Sequence, residues 1–142
     1  VQWTKPGLSH EWRYGEIVPE VKPPSGALKS LKEASNIWMA TTRPDGRPHL
    51  VPVWFIWNRR RFYMCIESGS VKGRNIQTEN RVALALEDGS NPVICEGEAT
   101  RVPPPWPAEV IRAFKKKYDW SIDPKDQYDQ LIRVKPTRWL GW

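Results

Sequence analysis

Cysteine is scarce in this 142-residue chain: Cys65 and Cys95 are the only two, thirty residues apart and each inside an apolar run. So few, so placed, they exclude a disulfide framework or a cysteine-built metal site and read as buried thiols. Histidine is equally rare, with only His10 and His49, and no HExxH, CxxC or GxSxG spacing occurs. Metallohydrolase and serine-nucleophile chemistry therefore have no motif to rest on, and no metal is expected. GxGxxG is missing too, which removes a Rossmann dinucleotide site. Glu87, Asp88, Glu96 and Glu98 fall at turn or outward strand positions, so no glycosidase-like carboxylate pair is expected. No apolar run approaches the roughly 18 residues of a membrane span. The chain opens Val-Gln-Trp without a charged-then-apolar leader, and a cytoplasmic protein is the resulting expectation.

What is abundant is tryptophan, proline and positive charge: nine Trp, fourteen Pro and a formal net charge of +6. The charge biases the surface toward anionic partners such as phosphate esters, polyglutamates, nucleic acid or anionic lipid. Tryptophan in such number supplies aromatic walls for a ligand or a subunit interface, or simply packs the core.

Proline at 6, 19, 23 and 24 makes residues 1–25 an extended arm, anchored by Trp3, Trp12 and Tyr14, ahead of a single domain over 26–142. Ser25 is positioned to cap a short first helix in which Leu28, Leu31 and Ala34 share a face. Strands follow over 37–43 and 49–57, joined by the turn Pro44-Asp45-Gly46, and a third over 61–67. The segment SGSVKGRNI then opens a helix with Ser70 as its cap. Two more strands, 81–87 and 92–102, precede a helix over 106–118 whose face is Val110, Ile111, Phe114 and Tyr118. A closing strand over 129–142 carries Pro136, which marks an edge or a bulge. Six strands with three short flanking helices predict an α+β, mainly β, small antiparallel barrel.

Candidate chemistry concentrates at two places. In SGSVKGRNI, Ser68, Ser70, Lys72, Arg74 and Asn75 crowd hydrogen-bond donors beside the free amides of a helix start, which suits a phosphate; an ordinary capped helix start explains the same residues. In HLVPVWFIW, Pro52 cannot donate to a ladder, leaving backbone and the faces of Trp54 and Trp57 open to a planar heterocycle; an edge strand is the plain alternative.

The run TTRPDGRPHLVPVWFIW, RFYMCIESGSVKGRNI, RVALALEDG and EGEATRV resembles the successive strands of the pyridoxamine 5′-phosphate oxidase-like, FMN-binding split β-barrel family, and especially its flavin or deazaflavin-dependent oxidoreductase branch. The likeness covers residues 27–102 well and 131–141 more loosely. It implies a six-stranded antiparallel split β-barrel and a homodimer with a cofactor in each groove between barrels. By the same resemblance, Lys72 holds the cofactor phosphate with Arg74, Asn75 and Ser68 beside it, and Pro52, Val53 and Trp54 border the tricyclic ring. The C-terminal RVKPTRWLGW does not reproduce the substrate-binding pattern of the vitamin B6 oxidases.

The cofactor so implied is the deazaflavin coenzyme F-420 or FMN, with Arg59 to Arg61 and Lys115 to Lys117 suited to the polyglutamate tail of the former. The expected activity is hydride transfer between that cofactor and a flat apolar or conjugated small molecule, with no catalytic residue identifiable in sequence. Two non-catalytic alternatives stand beside it: a holder of haem or another tetrapyrrole, as related split barrels are, and a single-stranded nucleic-acid binder. Nucleic acid is the weaker of these, because the cations cluster at one junction instead of along a groove.

Overall fold

The computed structural model describes residues 21–140. The proposed anchors Trp3, Trp12 and Tyr14 and most of the N-terminal arm lie outside the described residues. Among the described residues three helices and seven strands follow one another in this order: α1 (Ala27–Glu33), β1 (Ile37–Thr42), β2 (Pro48–Val53), β3 (Ile56–Asn58), β4 (Arg61–Ile66), α2 (Val71–Thr78), β5 (Arg81–Ala85), β6 (Ile94–Val102), α3 (Ala108–Tyr118) and β7 (Gln130–Leu140).

All seven strands form one antiparallel sheet in the order β2-β1-β5-β6-β7-β4-β3. Its two outermost strands, β2 and β3, are consecutive in sequence and joined only by Trp54 and Phe55. The three Cα–Cα steps from Val53 to Ile56 reach at most about 11 Å, so the sheet must curl until its edges approach each other. The result is an α+β fold built on a curled half-barrel.

The strand count corrects the expected six. The stretch 49–57 divides into β2 and β3 because the chain leaves the ladder at Trp54-Phe55. Side chains of α3 take over the backbone bonds there: the Phe55 N–H donates to the Tyr118 hydroxyl at 3.0 Å, and Lys117 Nζ donates to the Phe55 carbonyl at 2.9 Å. Pro52 sits on β2, an edge of the sheet, and pairs across with Trp38. Pro136 is not on an edge, since β7 lies between β6 and β4; it lies opposite Gly97 at a register shift, the bulge alternative.

The apolar pattern of each strand follows from what covers it. On β4 (RFYMCI), Phe62, Met64 and Ile66 point into the barrel with Met39, Leu84, Val134 and Trp139. Tyr63 and Cys65 point out, against Val110, Phe114 and Trp106 of the α3 region. Both faces of β4 are covered, hence its unbroken apolar run. Val110 and Phe114 are fully buried, each contributing about 1.5–3 kcal/mol by leaving water. On β1 (IWMATT) only one face is covered, and burial alternates.

The first helix departs from expectation at its start. Gly26, with φ of 84°, occupies the cap position and no side chain caps the helix, so Ser25 does not. Its buried residues are Ala27 and Leu31, while Leu28 is exposed.

Candidate functional site

A cleft of about 570 Å³ opens where β2 breaks into β3. Pro52, Val53 and Trp54 line it, with Lys72 from the first turn of α2 and Cys65 and Ile66 from the end of β4. The rest of the lining comes from the end of α3 and the segment after it, which bring Tyr118, Trp120 and Tyr128. Its size lies within the range of small-molecule and cofactor sites, about 300–1,000 Å³.

The α2 start is fixed by local chemistry. The Ser70 hydroxyl accepts from the Gly73 N–H at 3.1 Å and donates to the Glu67 carbonyl at 2.7 Å. Gly73 is demanded by close approach: a Cβ there would lie 2.7 Å from the backbone oxygens of both Glu67 and Ser68. The glycine in VKGRNI thus lets α2 turn tightly off β4 and carry Lys72 to the cleft.

Of the seven residues singled out in sequence, four line this cleft: Pro52, Val53, Trp54 and Lys72. The other three do not line it. Asn75 is buried and donates from Nδ2 to Thr41 Oγ1 at 3.0 Å, tying α2 to β1. Ser68 is held by Asp129, its N–H to Oδ1 at 2.9 Å and its hydroxyl to Oδ2 at 2.8 Å; those two bonds also hold the Asp129 carboxyl below its ordinary range. Arg74 is exposed on α2.

Sequence reading passed over His49 and the aromatic side of the cleft. His49 pairs with Thr41, and its Nδ1 is buried without a hydrogen-bond partner. Burial, then the charges of Arg43 and Lys72, holds its pKa below the ordinary value, so the free imidazole is neutral at pH 7. Trp54 stacks directly on Tyr118, with centroids 4.6 Å apart and planes within 4°, so the two rings form one wall. Trp120 stands edge-on to both Trp54 and Tyr128, at 5.8 and 5.4 Å. The available signal was three aromatic residues, Tyr118, Trp120 and Tyr128, in an otherwise polar stretch.

The hydroxyl of Tyr118 is committed to structure. It accepts from the Phe55 N–H and shares its one proton between the carbonyls of Ser35 and Phe55, 2.9 Å from each. Lys117 lies 3.9 Å from the Phe55 ring centroid, and burial lowers its pKa to about 8. Cys65 Sγ donates to the Tyr128 carbonyl at 3.1 Å, and burial, followed by the charges of Asp129 and Asp126, pushes its pKa up to about 12. Cys95 is also buried and free, its pKa raised by burial. Both thiols stay protonated at neutral pH. Among the described residues no group of three or more His, Cys, Asp or Glu is placed to hold a metal, and no helix is long and apolar enough to cross a membrane.

Much of the basic surplus is engaged locally. Arg59 pairs with Glu109 at 2.8 Å, Lys115 with Asp119 at 2.7 Å, and Lys117 turns to the Phe55 carbonyl.

A curled antiparallel half-barrel with a cleft at its split edge and a helix-start lysine in that cleft defines a class of fold, and the comparisons agree with it. The sequence model of the pyridoxamine 5′-phosphate oxidase family matches residues 26–142, and this chain belongs to that family. Among solved structures it is similar to an F-420 reductase, at 26% identity over 82% of this chain and 97% of that one, with a TM-score of 0.67. It is similar in fold to HutZ, the haem storage protein from Vibrio cholerae, at 19% identity over 79% and 89% of the two chains and a TM-score of 0.68. A FAD-binding protein from Mesorhizobium loti shares the fold at 16% identity over 84% and 95%, with a TM-score of 0.63. No curated protein matches the chain.

Proposed function

We propose that this protein is an oxidoreductase that holds a flavin-type cofactor, the deazaflavin F-420 or FMN, and moves a hydride between it and a flat conjugated small molecule. The observation that carries this reading is the meeting, in one cleft, of Pro52–Trp54 at the open edge of β2 with Lys72 at the start of α2. Lys72, whose ammonium is the one lysine or arginine group in the cleft lining among the described residues, fits an anionic group such as a phosphate. Similarity to an F-420 reductase and fold similarity to a FAD-binding protein support a cofactor of this kind.

When bound, such a cofactor supplies the hydride chemistry. The residues of this chain have the other tasks. Lys72 binds the phosphate; Pro52, Val53 and Trp54 border the ring. Trp54, Tyr118 and Trp120 orient a flat substrate and exclude water from one side. Tyr118 keeps its proton for backbone carbonyls and acts as a positioning residue.

The uncovered outer face of the sheet supports a homodimer. Trp38 and Pro52 are cross-strand partners, as are Ala40 and Leu50, and Leu50 is 60% exposed. Trp38 and Ala40 continue this face across to Ala85 and Ala83. An apolar sheet face of this breadth suits a second copy of the same chain. Light scattering should give twice the 16.5 kDa chain mass.

Parallel titration of the apo-protein with FMN and with the deazaflavin, across salt and polyglutamate tail length, tests the cofactor. Because the net charge is +6, affinity for the deazaflavin should rise with each tail glutamate and fall with salt. Tighter FMN binding with no effect of tail length refutes the deazaflavin assignment. If neither binds and the protein instead gains Soret absorption with haem, the oxidoreductase reading gives way to the tetrapyrrole one, which fold similarity to HutZ supports.

A further inference from the structure

We infer that the substrate of this cleft is a flat cationic heteroaromatic, an N-alkylated or protonated nitrogen ring, seated on the exposed faces of Trp54 and Tyr128 and turned toward the carboxylates of the α3–β7 segment. The inference rests on the hydride-transfer reading above and narrows its substrate.

The first ground is the shape and electronic character of the wall. One face of Trp54 is covered by Tyr118, yet the residue remains 52% exposed; Tyr128 is 42% exposed, and Trp120 stands edge-on between them. Aromatic faces are electron-rich and attract cations and electron-poor rings more than neutral ones. The second ground is charge. In a chain of net +6, residues 119–129 carry Asp119, Asp123, Asp126 and Asp129 against one lysine, Lys125. Asp119 lines the cleft although Lys115 holds it, and the charges of Asp129 and Asp126 both act on Cys65, which lines it too. Lys72 and Asp119 both line the cleft, so it offers a separate partner for each sign of charge. An anion is directed to Lys72 and a cation to the aromatic faces.

The third ground is proton supply. The Tyr118 hydroxyl is bound to backbone, and Cys65 donates its S–H to the Tyr128 carbonyl. A neutral acceptor that takes a hydride must also take a proton. A cationic ring need not: one C–H bond forms, the electron pair neutralises the ring, and a neutral dihydro product results, with the reduced cofactor of the proposed function as the reductant. The product then lacks the charge that held the substrate to the wall.

The test is binding of three bicyclic probes to the full chain at pH 8, followed by tryptophan quenching and calorimetry: N-methylquinolinium, quinoline and quinoline-4-carboxylate. The cation should bind about fivefold or more tighter than quinoline, and the carboxylate weakest at this wall. Trp54→Leu and Tyr128→Leu should each bring cation and neutral probe to near parity, and Asp126→Asn should reduce the preference. Should Trp54→Leu fail to fold, Tyr128→Leu at the surface carries the test. Equal binding of cation and neutral ring, tighter binding of the carboxylate, or a preference unmoved by these variants overturns the inference. Cofactor titration of the same preparation separates the two readings. Cofactor binding without cation preference removes this inference alone, while cation preference without cofactor binding removes the hydride-transfer reading and leaves an aromatic-cation site.

Discussion

The Tyr118 hydroxyl closes the gap at which the sheet splits, and its removal measures how firmly that gap is held. Phe55 is fully buried, and its N–H donates to the hydroxyl at 3.0 Å. In Tyr118→Phe the ring remains, still able to stack on Trp54 at 4.6 Å, so no cavity opens and no transfer energy is lost. The Phe55 carbonyl keeps Lys117 at 2.9 Å, and Ser35 is exposed, so its carbonyl can turn to water. What is left is one buried N–H without a partner, which costs about 1–3 kcal/mol. With a urea slope of about 2 kcal/mol/M, a central loss of about 2 kcal/mol lowers the midpoint by about 1 M. Equilibrium unfolding at one fixed protein concentration reads this directly, the concentration being held because the stability of the proposed dimer would depend on it. Tyr128→Phe, at a half-exposed position, is the control and should stay within about 0.5 kcal/mol of wild type. A Tyr118→Phe midpoint equal to that control would mean that the hydroxyl does not hold the β2–β3 break.

Three further outcomes are expected. Lys72→Ala should weaken binding of FMN and of the deazaflavin by about 1.5–3 kcal/mol, the range for a hydrogen bond to a charged group, while apo-protein thermal unfolding stays nearly unchanged; unaltered affinity for both would reduce SGSVKGRNI to a helix start. Gly73→Ala should destabilise the apo-protein by about 1–3 kcal/mol, because its Cβ meets two backbone oxygens at 2.7 Å that cannot rotate away, and a variant as stable as wild type in chemical denaturation would refute the close packing. Lys117 has a folded-state pKa of about 8 against 10.5 for the free side chain. Between those values the folded protein has released a proton that the unfolded chain still binds, so wild-type stability should rise with pH relative to Lys117→Met across that window and be flat below it. After allowance for its half-exposed setting the gain is about 1 kcal/mol, and a flat or falling difference from pH 8 to 10.5 would contradict the burial of the charged amine.

The local parts of this protein were legible in its sequence because their causes are local. Ser70 caps α2 through a bond to an amide three residues on, Pro44-Asp45-Gly46 turns β1 into β2, and the unbroken apolar run of β4 announces a strand covered on both faces. The ordered series of such segments was enough for the α+β barrel and for the family. Tertiary structure decided what depends on partners distant in the chain. One strand over 49–57 became two because Tyr118 and Lys117, about sixty residues away, satisfy the backbone of Phe55. Pro136 fits an edge or a bulge equally well by sequence, and only the placement of β7 between β6 and β4 selects the bulge. Ser68 and Asn75 carry donors that suit a phosphate, yet Asp129 and Thr41 claim them. Lys72 reaches the cleft with Pro52, Val53 and Trp54, but the rest of its aromatic lining comes from the end of α3 and the residues after it, brought there by packing of Val110 and Phe114 on the outside of β4. Hydrophobic periodicity specifies which face a helix buries, but not which strand receives that face, and the aromatic side of the cleft depends on that second choice.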